Sequence, residues 1–554
     1  MRREKSFLTH RGRYLLSAFA CAICFGAAVD HQPVVRVAGG SIAGTTEPPG
    51  AVFRGIPFAQ PPVGKLRWRA PQPLEPWKGV LAATHFSAAC MQNPLGTGSF
   101  LTPLAKLYGH EYPQTKIAMS EDCLYLNLWT PAWPPPQAGA PVMVWLHGGS
   151  NVMGSGAESI YDGAALARKG VVVVTVNYRL GPLGFFSHPE LTQESPHHAS
   201  GNYGLLDQVA ALQWVRDNIA QFGGDPGRVT VFGESAGSID AGLLLCSPLA
   251  KGLLQRAIME SGPVLLALNA ASLEKGEHFG KEVARLAGLS GAGEIEKLRR
   301  LPAETVMQKI NEVSKRAGDP GTIIDGWFLT ERPGRTFAQG RELPVDFIIG
   351  NNGREMSAFR AKGGDGSASL GSGGSPAQAV RVFYGSSTSI VLGMFLMDNT
   401  LGRTEAADSW LNDVIAACPE MAMTSLHQAT GHHAFVYQFN REIPGNGKKA
   451  LGAFHGLEIP YVFGTLRDPT WNWLPFEPID SRLSEIVQAY WTNFAKTGNP
   501  NGEGVPGWLE FESREQSAMT FGQTGTAALK RNSRPIYCDV DPNHLRQRLS
   551  SLQP

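Results

Sequence analysis

The chain has 554 residues, 43% of them hydrophobic and 18% charged, an ordinary composition for a globular protein that buries a large core. Its 49 basic and 48 acidic residues are spread along the chain and leave a net charge of +1. Because no basic stripe could follow a phosphate backbone, the composition argues against nucleic-acid binding.

The N-terminus has the pattern of a signal peptide. Five basic residues within the first 13 precede an apolar stretch from Tyr14 to Ala28, and Gly26-Ala27-Ala28 offers a small-residue cleavage site. An uncleaved membrane anchor is the alternative, although a span needs about 20 apolar residues. We expect residues 1–28 to be removed, the mature protein to be secreted or periplasmic, and no other stretch to be long and apolar enough for stable membrane insertion.

Five cysteines remain after the signal segment, namely Cys90, Cys123, Cys246, Cys418 and Cys538. The number is odd, so at least one thiol is free or bonded elsewhere. In an oxidising compartment Cys90 and Cys123 could pair. No Cys-x-x-Cys pair remains in the mature chain, so a zinc or redox site has no support.

Short apolar runs alternate with helical patterns along the mature chain. Continuous β-branched or apolar runs predict buried strands at 141–146, 171–176, 228–232, 345–349 and 434–439. Apolar residues at helical spacing predict a helix from Leu205 to Phe222. The alternation predicts an α/β fold with a mostly parallel, doubly wound central sheet and helices on both faces. Chemistry-bearing motifs flank the Gly/Ser-rich stretch 362–376, so we interpret it as a surface insertion in a single domain spanning 29–554.

The segment Gly233-Glu234-Ser235-Ala236-Gly237 lies between a predicted strand and a predicted helix. In that context Gly-x-Ser-x-Gly is typical of a nucleophile elbow, where a sharp turn lifts the serine hydroxyl above the sheet edge. The N–H of Ala236, at the helix start, can then face a developing oxyanion. The non-catalytic alternative is a glycine-rich turn with a serine cap, which fits the preceding strand less well.

A second glycine motif, His147-Gly148-Gly149-Ser150, follows the predicted strand 141–146. Glycines let the backbone approach a substrate closely and supply further oxyanion donors, although such a pair can also be a simple turn. The glycine-rich run 149–156 lacks the Gly-Lys-Ser/Thr ending of a phosphate-binding loop.

A serine nucleophile needs a general base, and the base needs an orienting acid. His455 lies among small residues in a loop after the predicted strand 434–439, and Glu355 follows the strand 345–349. The order Ser235, Glu355, His455 is that of the α/β-hydrolases. Most single histidines and glutamates in loops are surface residues, so this choice needs further support.

The sequence resembles the type-B carboxylesterase family, which includes the cholinesterases. The similarity covers nearly the whole mature chain and is carried by ordered motifs at 53–64 (FRGIPFAQPPVG), 120–127 (SEDCLYLN), 177–179 (NYR), 201–208 (GNYGLLDQ), 222–226 (FGGDP) and 491–500 (WTNFAKTGNP). So many motifs in one order exclude a chance similarity.

The resemblance implies an α/β-hydrolase fold with loop insertions and a set of functional residues. These are the nucleophile Ser235, the acid Glu355, the base His455, oxyanion-hole N–H groups from Gly149, Ser150 and Ala236, a Cys90–Cys123 disulfide, and structural ion pairs Arg67–Glu121 and Arg179–Asp207. It also suggests that Glu234 is a buried polar group that shapes the site.

Two departures from the family pattern bear on substrate choice. Position 150 is serine where the family often has glycine or alanine, so its side chain can touch substrate. The segment between Cys90 and Cys123 contains no tryptophan, whereas cholinesterases place a cation-binding tryptophan there. Phe100, Tyr108, Tyr112, Phe359 and Tyr461 are the aromatic residues that could substitute for it. We therefore expect uncharged esters, and not choline esters, as substrates.

The predicted activity is hydrolysis of small-molecule carboxylic esters through an acyl-enzyme, with no metal or other cofactor. Two alternatives are an amidase or carbamate hydrolase with the same catalytic residues, and a non-catalytic cholinesterase-like interaction domain. The base works when neutral, so activity should rise with pH around the ordinary histidine pKa of about 6.5, shifted by the surroundings of His455. The oligomeric state and the natural ester stay open.

Overall fold

An eleven-stranded mixed sheet forms the centre of the protein in a computed structural model that describes residues 32–92, 101–112, 117–266, 270–361, 376–531 and 536–551. The predicted signal peptide 1–28 and residues 362–375 of the Gly/Ser-rich stretch lie outside the described residues. In chain order the sheet strands are β1 (Thr45–Glu47), β2 (Gly50–Pro57), β3 (Tyr125–Trp129), β4 (Ala140–Leu146), β5 (Val172–Val176), β6 (Gly224–Glu234), β7 (Arg256–Glu260), β8 (Asp346–Asn352), β9 (Ala434–Phe439), β10 (Ala518–Phe521) and β11 (Ala527–Lys530).

The strand order across this sheet is β11-β10-β9-β8-β7-β6-β4-β5-β3-β2-β1. The pairs from β10 to β5 are all parallel, whereas β3, β2 and β1 at one edge and β11 at the other are antiparallel to their neighbours. The prediction of a mostly parallel sheet is confirmed, with antiparallel strands added at both edges.

The other described elements surround this sheet. Smaller sheets pair Val34–Val37 with Gly40–Ala43 and Val80–Ala82, Ala89–Cys90 with Met119–Ser120, and Ala271–Ser272 with Ile323–Ile324. The α-helices are Leu101–Leu107, Ala164–Arg168, Gly181–Gly184, Pro189–Glu194, Tyr203–Asn218, Ala236–Leu245, Leu273–Leu286, Glu294–Arg299, Ala303–Ala317, Pro333–Ala338, Glu355–Ala361, Pro376–Tyr384, Thr388–Thr400, Thr404–Asn412, Cys418–Gln428, Lys448–Leu451, Ile459–Phe463, Pro478–Thr497 and Pro542–Ser550. A π-helical turn, Asp413–Ala417, joins two of them.

Side chains of the central strands enter the core on both faces of the sheet. On β4, Val142 and Val144 pack into one hydrophobic cluster, whereas Met143 and Trp145 pack into the other. The helix Tyr203–Asn218 covers the first face and the helix Pro478–Thr497 covers the second. Because strands covered on both faces need apolar side chains at every position, these segments read as continuous apolar runs in the sequence.

The predicted elements differ from the observed ones mainly at their ends. Strand β9 has the predicted bounds, whereas β6 begins four residues before Arg228 and β8 continues to Asn352. The predicted helix 205–222 begins at Tyr203 and changes to a 3₁₀ turn, Ile219–Phe222. The longer β8 brings Asn352 next to Glu355 and close to His455, the predicted acid and base.

Covalent and ionic contacts tie the outer segments to this core. The structure joins Cys90 to Cys123 and Cys418 to Cys538, and leaves Cys246 as a buried thiol. The guanidinium of Arg67 contacts both carboxylate oxygens of Glu121 at 2.6 Å. Arg179 contacts the two oxygens of Asp207 at 2.7 and 2.8 Å. Both predicted ion pairs are confirmed, and the second cysteine pair is one that the sequence analysis left open.

One helical stretch contradicts the expectation that no further segment is long and apolar enough to span a membrane. The helical stretch Ala379–Asp398 has 20 residues, and by length and composition alone it is long and apolar enough to cross a membrane. It consists of consecutive helical segments separated by the short turn Gly385–Ser387, which is why it does not read as one apolar run. Apolar helices in the cores of globular proteins pass the same test, so the absence of membrane insertion stays a prediction.

Candidate active site

Ser235 occupies a sharp turn between β6 and the helix Ala236–Leu245. Its backbone has φ 57° and ψ −119°, a conformation that non-glycine residues rarely adopt. The turn is possible because glycines flank it: a Cβ on Gly237 would lie 2.0 Å from the carbonyl oxygen of Leu146. The N–H of Ser235 donates to the carbonyl of Glu260 at 2.8 Å, which fixes the turn to β7.

The predicted oxyanion-hole residues flank Ser235. Gly149 and Ser150 follow β4 with φ values of 109° and 56°, and both line the cavity that contains Ser235. A Cβ on Gly149 would lie 2.2 Å from the carbonyl oxygen of Met153, so only glycine fits this turn. The N–H of Ala236 is the first of its helix and therefore has no acceptor within the helix. These backbone N–H groups can act as donors to an oxygen near Ser235.

Glu355 and His455 are in direct contact. The Nδ1 atom of His455 lies 2.5 Å from Oε2 of Glu355, and both side chains are buried. His455 lies in a turn before the helix Ile459–Phe463, as expected for a loop residue. Glu355 differs from the expectation, because it is the first residue of the helix Glu355–Ala361 and not part of a loop. A carboxylate at this position is favoured by the helix dipole.

Backbone and amide groups hold Glu355 in place. The N–H of Asn352, at the end of β8, donates to Oε1 of Glu355 at 2.5 Å. The N–H of Glu355 donates to Oδ1 of Asn412 at 3.0 Å. The Asn352 amide also donates to the carbonyl of Phe454, the residue before His455, at 2.7 Å. Sequence reasoning missed Asn352 and Asn412, because nothing local marks either residue as a partner of Glu355.

Two further carboxyl groups, those of Glu234 and Glu458, belong to the surroundings of His455. Oε1 of Glu234 lies 3.1 Å from the Nε2 atom of His455, so Glu234 is in direct contact with the predicted base. Oε1 of Glu458 accepts a hydrogen bond from Ser261 at 3.0 Å, and its Oε2 accepts one from Asn352. The base therefore lies in an environment rich in negative charge.

This environment shifts the titration of His455. Burial lowers the pKa of His455, but the carboxylates of Glu234 and Glu355 outweigh burial and raise that pKa to about 10. Burial raises the pKa of Glu234 to about 8, opposed by the charge of His455. Since Glu234 and His455 are in contact, the charge of each group affects the titration of the other.

Ser235 and His455 open on one cavity of about 510 Å³. Its wall is mostly apolar and includes the aromatic residues Phe86, Tyr112, Tyr161, Phe359 and Trp471. The ring of Phe359 lies 5.1 Å from that of His455, centre to centre. A cavity of this size can accept an organic substrate of drug-like size. Sequence reasoning did not find Tyr161 or Trp471, because only the folded structure brings these residues next to Ser235.

Of the other aromatic candidates named from the sequence, Tyr108 and Tyr461 point elsewhere. The Tyr108 hydroxyl donates to the carbonyl of Ile443 at 3.0 Å, and the Tyr461 hydroxyl donates to Asp480 at 2.6 Å. Phe100 lies outside the described residues. Tyr112 and Phe359 are thus the two candidates that the structure places in the cavity wall.

A second cavity, of about 550 Å³, is lined by residues such as Asn351, Trp410, Tyr437 and Lys530. Its lining includes neither Ser235 nor Glu355 nor His455. Of the predicted catalytic residues, Ser235 and His455 thus line the first cavity.

Comparison with known proteins agrees with this geometry. The model of the carboxylesterase family matches residues 31–538. Carboxylesterase 1D of Mus musculus is 35% identical over 544 residues, which cover 92% of this chain and 92% of the mouse protein. Para-nitrobenzyl esterase of Bacillus subtilis (strain 168) is 36% identical over 500 residues, which cover 88% of this chain and 94% of the relative. A solved PNB esterase structure superposes with a TM-score of 0.74 at 30% identity, over 94% of this chain and 99% of that one.

The family model matches far more than half of the chain, and both relatives are more than 30% identical to it over most of its length. The parallel sheet with helices on both faces is the α/β-hydrolase fold of the solved esterase. The chain therefore belongs to the carboxylesterase family, and it is a serine hydrolase of small-molecule carboxylic esters.

Proposed function

We propose that Ser235 is the nucleophile of this hydrolase, His455 its general base and Glu355 the acid that orients the base. The observation that carries the proposal is the 2.5 Å contact between Glu355 and His455 at the wall of the cavity into which Ser235 opens. The strained turn at Ser235 adds support, because nucleophile elbows adopt this conformation.

The reaction then runs in two steps. His455 takes the proton of the Ser235 hydroxyl while Oγ attacks the ester carbonyl carbon, and the proton passes to the departing alcohol as the acyl-enzyme forms. Water, deprotonated by the same histidine, then attacks the acyl-enzyme, and the acid is released with Ser235 regenerated. In both steps the N–H groups of Gly149, Ser150 and Ala236 stabilise the negative charge that develops on the carbonyl oxygen.

Covalent labelling tests the assignment of the nucleophile. A fluorophosphonate should modify the wild-type protein once, at the peptide that contains Ser235, and should leave Ser235→Ala unmodified. Ser238→Ala is the matched control, because Ser238 lies on the same helix but donates its hydroxyl to the carbonyl of Gly262 at 2.8 Å. Labelling should persist in this control, and modification of Ser235→Ala would show that another residue is the nucleophile.

We propose further that uncharged esters are better substrates than choline esters. A quaternary ammonium cannot be hydrogen-bonded, so a site attracts it through aromatic faces, each worth about 0.5–2 kcal/mol. Tryptophan is the strongest partner, yet Trp471 is only 1% exposed and presents little ring surface to the cavity.

This preference can be measured as kcat/KM for acetylcholine against its uncharged carbon isostere, dimethylbutyl acetate. We expect the uncharged ester to be better by roughly tenfold or more, the equivalent of about 1.4 kcal/mol. A preference for the cation that disappears in Trp471→Leu would replace this proposal with a cation site built on Trp471.

We also propose that the protein is exported and that its mature chain, residues 29–554, forms one domain. Support comes from the two cysteine pairs, since disulfides persist in oxidising compartments. N-terminal sequencing should find the mature protein beginning after Ala28. Non-reducing peptide mapping should find Cys90 bonded to Cys123, a loop of 33 residues for which chain entropy gives roughly 3–4 kcal/mol of stabilisation. Two free thiols at these positions would refute the bond.

A further inference from the structure

The cavity wall contains a carboxyl group that the hydrolytic mechanism does not use. Glu158 follows the segment of Gly149 and Ser150 and precedes the 3₁₀ turn Ser159–Tyr161. It is half-buried and lines the same cavity as Ser235 and His455. Glu158 therefore lies where it can contact a bound substrate.

Only one oxygen of this carboxyl group is engaged by the protein. Oε1 of Glu158 accepts a hydrogen bond from the N–H of Ser155 at 3.0 Å. Within the described part of the chain, Oε2 has no hydrogen-bond partner, and it is not sealed from the cavity. The side chain is thus anchored at one oxygen, while the other is available to a ligand.

The surroundings of Glu158 favour a ligand that hydrogen-bonds to its carboxyl group. Neighbouring parts of the wall are formed by Ile160, Tyr161 and Trp471. Burial raises the pKa of Glu158 to about 7, although the hydrogen bond from Ser155 opposes the shift. A substrate group that lies against Oε2 can therefore take the hydrogen-bonding position that the protein leaves open.

We propose that Glu158 is a specificity-determining residue that selects esters bearing a hydroxyl group within reach of its Oε2 atom over esters with a methyl group at the same place. The proposal rests on the proposed function of the Ser235 site. A hydroxyl is the fitting partner because it can donate to the carboxylate form of Glu158 and accept from the acid form. Sites built to hydrogen-bond a substrate hydroxyl reject the analogue that lacks it, because the buried polar group is then left unpaired.

Two matched substrate pairs test the proposal on wild type, Glu158→Leu and Glu158→Gln. Hydroxyethyl butyrate against propyl butyrate places the hydroxyl in the alcohol half, and the ethyl ester of terminally hydroxylated hexanoic acid against ethyl heptanoate places it in the acyl half. In wild type we expect kcat/KM to favour the hydroxylated ester of at least one pair by about tenfold. Glu158→Leu should abolish this preference, because kcat/KM should fall further for the hydroxylated ester than for its methyl isostere.

Glu158→Gln serves as the conservative control. Its amide keeps an acceptor for the Ser155 N–H and still hydrogen-bonds a hydroxyl, so the preference should largely survive. Equal kcat/KM within both pairs in wild type would overturn the proposal. A parallel loss for both members of each pair in Glu158→Leu would also overturn it, because Glu158 would then act by holding the Ser155 loop.

Fluorophosphonate titration of each variant separates this proposal from the proposed function. A wild-type protein that is labelled at Ser235 but shows no hydroxyl preference contradicts the role of Glu158 alone. A wild-type protein that is not labelled at Ser235 contradicts the proposed nucleophile, and the role of Glu158 with it.

Discussion

The two halves of the proposed active site are built in different ways. On the nucleophile side, the position of Ser235 follows from local backbone sterics, because the flanking glycines let the chain pass close to Leu146. On the acid–base side, Glu355 and His455 are 100 residues apart and are held by amides from separate segments. The first half is encoded in five consecutive residues, whereas the second exists only once the sheet has formed. Substitutions in the two halves should therefore affect different properties, namely stability in the first half and turnover in the second.

Among variants that keep both Ser235 and His455, the largest effect on turnover should come from a change at Glu355. Glu355→Gln keeps the size of the side chain but removes the charge that stabilises the His455 imidazolium. By analogy with other hydrolase triads, we expect kcat to fall by roughly 10³–10⁴-fold with little change in thermal stability. Steady-state kinetics and a melting curve on the same preparation check this, and undiminished turnover would point to another acid.

On the nucleophile side, the corresponding change should damage the fold instead of the chemistry. In Gly237→Ala the new Cβ would lie 2.0 Å from the carbonyl oxygen of Leu146, so the elbow must move. We expect a loss of about 1–3 kcal/mol in the free energy of unfolding, which is roughly fivefold to 150-fold in the folding equilibrium.

Gly393→Ala is the control for this change, because a Cβ there meets nothing within 4 Å and the position is helical. It should be neutral or stabilising by up to about 1 kcal/mol. Denaturant unfolding of both variants measures their free energies of unfolding. Equal stabilities would contradict the steric account of the elbow.

A smaller effect should follow from loosening the support of Glu355. Asn412→Ala removes the acceptor of the Glu355 N–H, which can let the carboxylate turn away from His455. We expect about a tenfold lower kcat with KM nearly unchanged, since no substrate contact is lost. Asn440→Ala removes a side-chain hydrogen bond to Gln438 and is a suitable control. A change in KM alone would contradict a role in positioning Glu355.

The smallest effect should be a shift of the pH profile. Because nearby carboxylates raise the pKa of His455, the base stays protonated to higher pH, and the rise of kcat/KM should lie above pH 6.5. Glu234→Gln removes a negative charge 3.1 Å from Nε2, so the pKa of His455 should fall and the rise should move to lower pH.

Glu510→Gln is the control for this shift, because Glu510 pairs with the exposed His433. Its pH profile should match that of wild type. A midpoint that stays in place or moves upward in Glu234→Gln would show that Glu234 carries no charge that His455 senses.

The same contrast explains how much the sequence could predict. Strands buried on both faces give continuous apolar runs, so β4, β5 and β9 were found nearly to the residue, and the elbow was readable from its glycines. The pairing of Cys418 with Cys538, 120 residues apart, and the support of Glu355 by Asn412 had no local signal. Glu158 was missed for the same reason, since its availability depends on which groups the folded wall leaves unpaired.

The claim that Ser235 and His455 act as one unit is tested most directly by a double-mutant cycle. We would measure kcat for Ser235→Ala, His455→Ala and the double variant on one uncharged ester, with each protein shown to be folded. If the two residues work together, each single change should cost about as much as both together, on the order of 10⁴-fold or more. If the losses multiply in the double variant, the residues act independently, and the catalytic unit proposed for this cavity is wrong.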